Sequence, residues 1–214
     1  MNILDNAVNG YIESLIKDRS ELLSEMETFA EAEGVPIMEL AGIETLLQLL
    51  RIQRPARVLE IGTAIGYSGL RMAEALPDAA IVSIERDENR YKQALDFIKR
   101  SPQNDQLDII FGDALETIQE AESKGPFDAL FIDAAKGQYQ KFFDLYSPYL
   151  AEGGVIYSDN VLFKGMVAEE NVENKRIRNM VNKLKSYNDW LMNHPDYHTV
   201  IIPVGDGLAV SRKI

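Results

Sequence analysis

The sequence predicts an α/β fold built on a mainly parallel sheet, and three observations carry that expectation. An apolar strand over 57–61 runs straight into a glycine turn and then a helix. From Pro55 onward, apolar runs of strand length alternate with stretches of helical spacing. Near the end, Thr199-Val-Ile-Ile-Pro-Val204 and Leu208-Ala-Val-Ser-Arg212 flank Gly205-Asp-Gly207, the pattern of an antiparallel hairpin with a tight turn.

Taken in order, residues 2–33 place apolar side chains at helical spacing (Val8, Tyr11, Ile12, Leu15, Ile16, then Leu22, Leu23, Met26, Phe29), which predicts two amphipathic helices. A core face, a cap over a pocket and a subunit contact are all open for that stripe. Gly34-Val-Pro-Ile-Met38 breaks the pattern, and Glu39 to Gln53 resumes it, leaving Met38 at a junction near the first strand. Strands are predicted at 57–61, 80–85, 107–111, 128–133 and 154–158, with helices at 67–76, 87–100, 114–123 and 138–150. A helix from Asn171 to Leu191 follows, broken at Asn193-His-Pro-Asp196, and the hairpin closes the sheet edge. The chain reads as one domain, 1–214, with a helical N-terminal extension over 1–54 and a sheet core over 55–214. Ligands of such a sheet gather outside the carboxyl ends of its strands.

A length of 214 residues with 46% hydrophobic content is ample for a single core. The absence of cysteine excludes disulfides, thiolate metal sites and cysteine nucleophiles. No charged-then-apolar leader opens the chain and no apolar run approaches the ~18 residues of a membrane span, so a soluble, cytoplasmic protein is expected. A net charge of −12 argues against broad non-specific nucleic-acid binding, which needs a positive surface to displace counterions. Locally the balance reverses: Lys175, Arg176, Arg178, Lys183 and Lys185 fall within one acid-free stretch, either a basic patch or a solvated helix face.

The glycine turn lies in Arg57-Val-Leu-Glu-Ile-Gly-Thr-Ala-Ile-Gly-Tyr-Ser68, where Gly62 and Gly66 allow close backbone approach. Glu60 stands two residues before the first glycine. A carboxylate there repels a pyrophosphate but can pair with an ammonium, which points away from dinucleotides and towards S-adenosylmethionine. Glu85 closes the next strand, where it can accept hydrogen bonds from both hydroxyls of a ribose. The plainer alternative is a turn that only joins strand to helix.

Two further strand ends carry oxygen ligands, Phe131-Ile-Asp133 and Tyr157-Ser-Asp-Asn160. Asp133, Asp159 and Asn160 would meet at one mouth of the sheet, and carboxylate and amide oxygens suit a hard cation such as Mg²⁺. Each alone is equally a cap or turn former. Lys136, three residues beyond Asp133, can turn back to the same mouth, where a like charge disfavours an ammonium and makes a general base physically reasonable. His194 and His198 flank a Pro-Asp break outside any ligand pattern and read as structural.

Glu60-Ile-Gly-Thr-Ala-Ile-Gly-Tyr-Ser68, Phe131-Ile-Asp-Ala-Ala-Lys136 and Ser158-Asp-Asn160 resemble the metal-dependent catechol and caffeoyl-coenzyme A type O-methyltransferases, over nearly the whole chain. The resemblance implies a Rossmann-like class I methyltransferase fold with a seven-stranded sheet, S-adenosylmethionine as cofactor and Mg²⁺ as metal. It implies metal ligation by Asp133, Asp159 and Asn160, with Lys136 as base and Asp133 serving both metal and cofactor. Glu85 matches the ribose-binding acid, and Met38, Gly62, Ser68, Asp113 and Ala114 fall where cofactor contacts are expected. Val35-Pro-Ile-Met-Glu39, Lys136-Gly-Gln-Tyr-Gln140, Asp159-Asn-Val-Leu-Phe-Lys-Gly165, Trp190-Leu-Met-Asn-His-Pro-Asp-Tyr197 and Ile202-Pro-Val-Gly-Asp-Gly-Leu208 resemble, more narrowly, the bacterial branch that methylates 5-hydroxyuridine in tRNA. That branch implies transfer to the 5-hydroxyl in the anticodon loop, with Lys175, Arg176 and Arg178 meeting RNA phosphates. A small catechol or hydroxycinnamoyl substrate is the alternative, and a homodimer formed through the N-terminal helices is expected.

Overall fold

The computed structural model of the chain describes residues 6–169 and 171–214, so the part of the first predicted helix at 2–5 lies outside the described residues. Three helices, α1 (Asn6–Ser14), α2 (Glu21–Glu33) and α3 (Leu40–Gln53), precede the sheet. Strands β1 (Arg57–Ile61), β2 (Ala80–Glu85), β3 (Leu107–Phe111), β4 (Phe127–Ile132) and β5 (Leu150–Ser158) then alternate with α4 (Tyr67–Ala75), α5 (Glu88–Lys99), α6 (Ile118–Glu122) and α7 (Tyr139–Tyr146). Helix α8 (Lys175–Met192) leads into the hairpin of β6 (Tyr197–Ile202) and β7 (Leu208–Lys213). No described helix is long and apolar enough to cross a membrane.

The seven strands lie in the order β3-β2-β1-β4-β5-β7-β6. The first five pair in parallel, and β7 runs antiparallel to both β5 and β6. Strand order reverses between β1 and β4, which opens a crevice at their carboxyl ends. Side-chain alternation divides the core in two. Val58, Ile81, Ala129 and Phe131 pack with α3 and α4, while Leu59, Val82, Leu130 and Ile132 pack with α7 and α8. Because both faces are covered, the central strands are apolar almost throughout.

Helix α2 uses its stripe as a core face: Leu23, Met26 and Ala30 are buried in one cluster with Tyr67, Leu70, Phe97 and Ile98. Helix α1 differs, since Val8, Tyr11 and Ile12 remain exposed, as does Leu15 just beyond its end.

Several boundaries move from their predicted places, each for a local reason. The helix expected over 114–123 is shortened to α6 because Asp113 turns the chain first, its Oδ1 accepting from the Leu115 N–H at 2.9 Å. The one expected over 138–150 stops at Tyr146, since Pro148 has no N–H to extend the helical ladder. Strand β5 starts at Leu150 rather than 154, because Gly153 and Gly154 lie inside it, beside a register irregularity against β4. Helix α8 begins at Lys175 rather than 171, where the Asn174 side chain caps the N–H groups of Arg176 and Ile177 at 2.9 and 3.2 Å.

The ladder continues one residue past four strands. Gly62 N–H donates to Ile84 O at 3.0 Å, Gly112 to Glu85 at 2.9 Å, Asp133 to Ile61 at 3.0 Å and Asp159 to Ile132 at 3.1 Å. The residues after the strands are thus held by the sheet rather than by loops. Gly62 has φ +95°, and a Cβ there would overlap the Asp133 carbonyl. Gly62→Ala is therefore expected to lower stability by about 1–3 kcal/mol through strain and displacement of β4's end. Urea unfolding checks this, and an unchanged midpoint would contradict the close approach.

Candidate active site

A cavity of about 560 Å³ opens at the carboxyl ends of the sheet, beside the β1–β4 crevice. On one side stands Glu85, whose carboxylate accepts from the Ala64 N–H at 2.8 Å and the Asp87 N–H at 2.7 Å. Two backbone donors lock its orientation, and its remaining lone pairs are free for a pair of hydroxyls. Asp113 and Ala114 continue this wall: Asp113 lies 3.6 Å from the Arg86 guanidinium, and the Ala114 carbonyl accepts from Tyr146 Oη at 2.6 Å. Met38, packed on Gly42, and Gly62 complete it. The start of α4 supplies orphan N–H groups at the glycine turn.

Two predicted cofactor contacts are placed otherwise. Glu60 and Ser68 do not line this cavity. Glu60 is fully buried, on the same face of β1 as Val58, with its carboxylate against Gly69 beneath α4. It accepts hydrogen bonds from Ser68 Oγ and, at 2.6 Å, from Ser83 Oγ. Burial pushes its carboxyl above the usual range, against the pull of those hydroxyls. Strand alternation thus turns Glu60 away from an incoming ammonium; it ties the glycine turn to β2 and keeps the Ser68 hydroxyl with it.

Asp133, Asp159, Asn160 and Lys136 line the same cavity as Glu85. Asn160 Nδ2 donates to Asp159, and Lys136 Nζ donates to Asn160 Oδ1. Lys136 Nζ also lies 5.8 Å from the centre of the Phe163 ring. Desolvation, helped by Glu60 and Asp206 and opposed by Lys136, pushes the Asp133 carboxyl up to about 6. Desolvation and the facing Asp133 charge push Asp159 up to about 8. The backbone here is strained as well: of five non-glycine residues with positive φ among those described, Ala64, Asn160, Phe163 and Lys164 line the cavity.

Against its two carboxylates this cluster sets the ammonium of Lys136. Two carboxylates raised by desolvation, and an amide oxygen satisfied by an ammonium, are the hard donors that a magnesium ion takes. No group of three or more His, Cys, Asp and Glu able to hold a metal occurs among the described residues.

Asp206 is a site residue that the sequence reading assigned only to a turn. Its carbonyl accepts from the N–H of Leu162 at 2.8 Å and of Phe163 at 3.2 Å, and its side chain accepts from the Lys164 N–H at 3.2 Å. Its charge contributes to the raised pKa of Asp133, Asp159 and Glu39. One signal was available. A strand antiparallel to β5 must be entered from β5's carboxyl end, which puts Gly205-Asp-Gly207 at the mouth.

Lys175, Arg176 and Arg178 sit on the exposed first turns of α8 and line no part of the cavity; Arg178 bonds the Val172 carbonyl at 3.1 Å. His194 packs among Phe143, Trp190 and Tyr197, with ring centres 5.5, 4.8 and 5.0 Å away, in keeping with its structural reading.

A seven-stranded, mostly parallel sheet of this order with flanking helices is the Rossmann-like methyltransferase arrangement. The family model described as O-methyltransferase matches residues 13–214, and the chain belongs to that family. It is 33% identical over 176 residues to a catechol O-methyltransferase of Niastella koreensis, covering 79% of each chain. A Staphylococcus aureus crystal structure, provisionally named a caffeoyl-CoA O-methyltransferase, is 35% identical with a TM-score of 0.92, covering 98% of this chain and all of that one. An O-methyltransferase from Bacillus cereus in complex with SAH is 26% identical with a TM-score of 0.82, covering 97% of both.

The raised carboxyls set a pH dependence. Both folded values lie above those of the unfolded chain, so the folded protein holds protons that unfolding releases. The stability this contributes is fully present below about pH 4. It is lost as the pH rises through about 6 for Asp133 and about 8 for Asp159. In metal-free buffer the urea midpoint should therefore fall across that window, added Mg²⁺ should restore it most at the alkaline end, and Asp159→Asn should flatten both responses. A midpoint insensitive to pH and Mg²⁺ would contradict the facing carboxylates.

Proposed function

We propose that this chain transfers the methyl group of S-adenosylmethionine to the 5-hydroxyl of 5-hydroxyuridine in the anticodon loop of tRNA, giving 5-methoxyuridine, with Mg²⁺ required. The observation that carries the reading is the meeting, in one cavity, of the fixed Glu85 acceptor with the Asp133–Asp159–Asn160 oxygen cluster and Lys136. Glu85 would hold the donor's ribose hydroxyls, while Met38, Gly62, Asp113 and Ala114 enclose the rest of it. Magnesium held by Asp133, Asp159 and Asn160 would supply Lewis acidity and a template for a hydroxyl with a neighbouring oxygen. In 5-hydroxyuridine the 5-hydroxyl and the C4 carbonyl form such a pair.

Lys136, in its neutral amine form, would take the hydroxyl proton at Nζ. The acceptor oxygen then forms its bond to the methyl carbon as the carbon–sulfur bond breaks, and sulfur keeps the electron pair as a thioether. Opposite charges on donor and acceptor cancel along this path, so exclusion of water favours it. Asp133 lines this cavity and would serve both metal and cofactor, holding acceptor and donor in line.

Support for tRNA comes from where the branch-specific strings fall: Ile37, Glu39, Phe163, Lys164, Gly205 and Asp206 all line the mouth. The exposed Lys175, Arg176 and Arg178 would meet phosphates of the loop, with the target base splayed into the cavity. A tRNA substrate places the enzyme in the cytoplasm, and the exposed apolar face of α1 supports a homodimer. The catechol-named relative favours a second reading, a small catechol substrate.

Mass spectrometry of tRNA nucleosides from cells lacking the protein separates the two: loss of 5-methoxyuridine with accumulation of 5-hydroxyuridine is expected, and an unchanged profile favours the catechol. With purified enzyme, Lys136→Ala should lower kcat by roughly 10²–10⁴. EDTA should abolish transfer; undiminished methylation in its presence would remove the metal from the mechanism. Arg176→Glu with Arg178→Glu should raise KM for tRNA, and a KM equal to that of the wild type would detach α8's first turns from RNA docking.

A further inference from the structure

A second cleft, of about 300 Å³, lies between the segment after β4 and the middle of α8, lined by Lys136, Gly137, Tyr139, Gln140, Asn182 and Lys183, with Ser186 and Tyr187 at its α8 side. Lys136 belongs to this cleft and to the reaction cavity alike, so the two are neighbours. No carboxylate lines the cleft, although the chain as a whole carries a net charge of −12.

Three features show a site with donors unspent. Lys183 makes no ion pair or hydrogen bond among the described residues. Residue 137 is a glycine, and a Cβ there would press within 3.2 Å of the Lys183 ammonium, so the missing side chain leaves that cation room. Tyr139 is 1% exposed, and its hydroxyl is buried without a hydrogen-bond partner. The neighbouring Tyr187 hydroxyl is, by contrast, already paired with Ser158 at 2.8 Å.

An unpaired ammonium with neutral amides and hydroxyls along the cleft offers donors to an oxyanion, while Asp133 and Asp159 act on the Tyr139 hydroxyl from the side of the reaction cavity. The geometry points to a phosphate-binding subsite here, taking a backbone phosphate of the nucleotide whose base enters the reaction cavity. This rests on the hydroxyuridine reading above, and it deepens that reading: a nucleotide's phosphate adjoins its base through one sugar, as this cleft adjoins the reaction cavity through Lys136. The subsite is separate from the first turns of α8, where Lys175, Arg176 and Arg178 lie.

The test compares methylation of 5-hydroxyuridine with that of its 3′,5′-bisphosphate, by the wild type and by Lys183→Gln and Tyr139→Phe. Wild-type enzyme should favour the bisphosphate in kcat/KM. The Lys183→Gln variant should cut that preference about tenfold, chiefly through KM, as expected for loss of a charge-assisted hydrogen bond. A smaller fall is expected for Tyr139→Phe. If the wild type turns over neither compound yet methylates hydroxyuridine-containing tRNA, the phosphate subsite alone is overturned; if that tRNA is not methylated either, the hydroxyuridine reading fails and this subsite with it. If the wild type turns over both but shows no preference, or the preference survives Lys183→Gln, the phosphate subsite alone is overturned.

Discussion

The mouth of this protein depends on how closely the end of β1 approaches the end of β4. Asp133 donates to Ile61 across that seam at 3.0 Å, and the glycine at 62 leaves space for the Asp133 carbonyl. A bulkier residue would separate the wall that holds Glu85 from the wall that holds the oxygen cluster. Because the ladder runs one residue beyond four strands, Gly62, Gly112, Asp133 and Asp159 inherit the positional precision of the sheet. Chemistry that needs donor and acceptor aligned is therefore built on the most rigid part of the fold.

That arrangement costs stability locally. Asp159 is buried beside Asp133, and both carboxyls are held above their usual range. Ala64, Asn160, Phe163 and Lys164 are kept in left-handed backbone around the same cavity. Strain and like-charge repulsion persist only where the surrounding structure over-determines them. Here it does so through the Asp206 turn, which fastens the 161–164 loop, and through the two hydrophobic layers packed on the faces of the sheet.

Much of the site was legible in linear order because each functional group follows an apolar strand directly. Glu85, Asp133 and Asp159 were readable as strand-end acids without knowledge of their contacts, and Lys136 followed from its offset to Asp133. Glu60 shows the limit. It lies within the most recognisable motif, yet strand alternation sends its carboxylate under α4, where Ser68 and Ser83 hold it. Asp206 shows the converse: it sits in what reads as an ordinary hairpin turn, and it reaches the cavity only because β7 is inserted beside β5. The basic stretch of α8 reads as one patch but is divided by the turn of the helix and by distance along it. Its first residues face outward, and Lys183 closes on Gly137.

By itself the sequence determined the α/β class, most strand positions, the hairpin and the identity of the acids at the strand ends. These follow from local periodicity and from turn chemistry, which act over a few residues. Tertiary structure alone decided which strands became neighbours, which face Glu60 took, that the α2 stripe is buried while α1's remains exposed, and that the β6–β7 turn closes the cavity. Those outcomes depend on contacts between segments far apart in the chain, where strand order and helix packing fix a side chain's direction and no short-range pattern records the result.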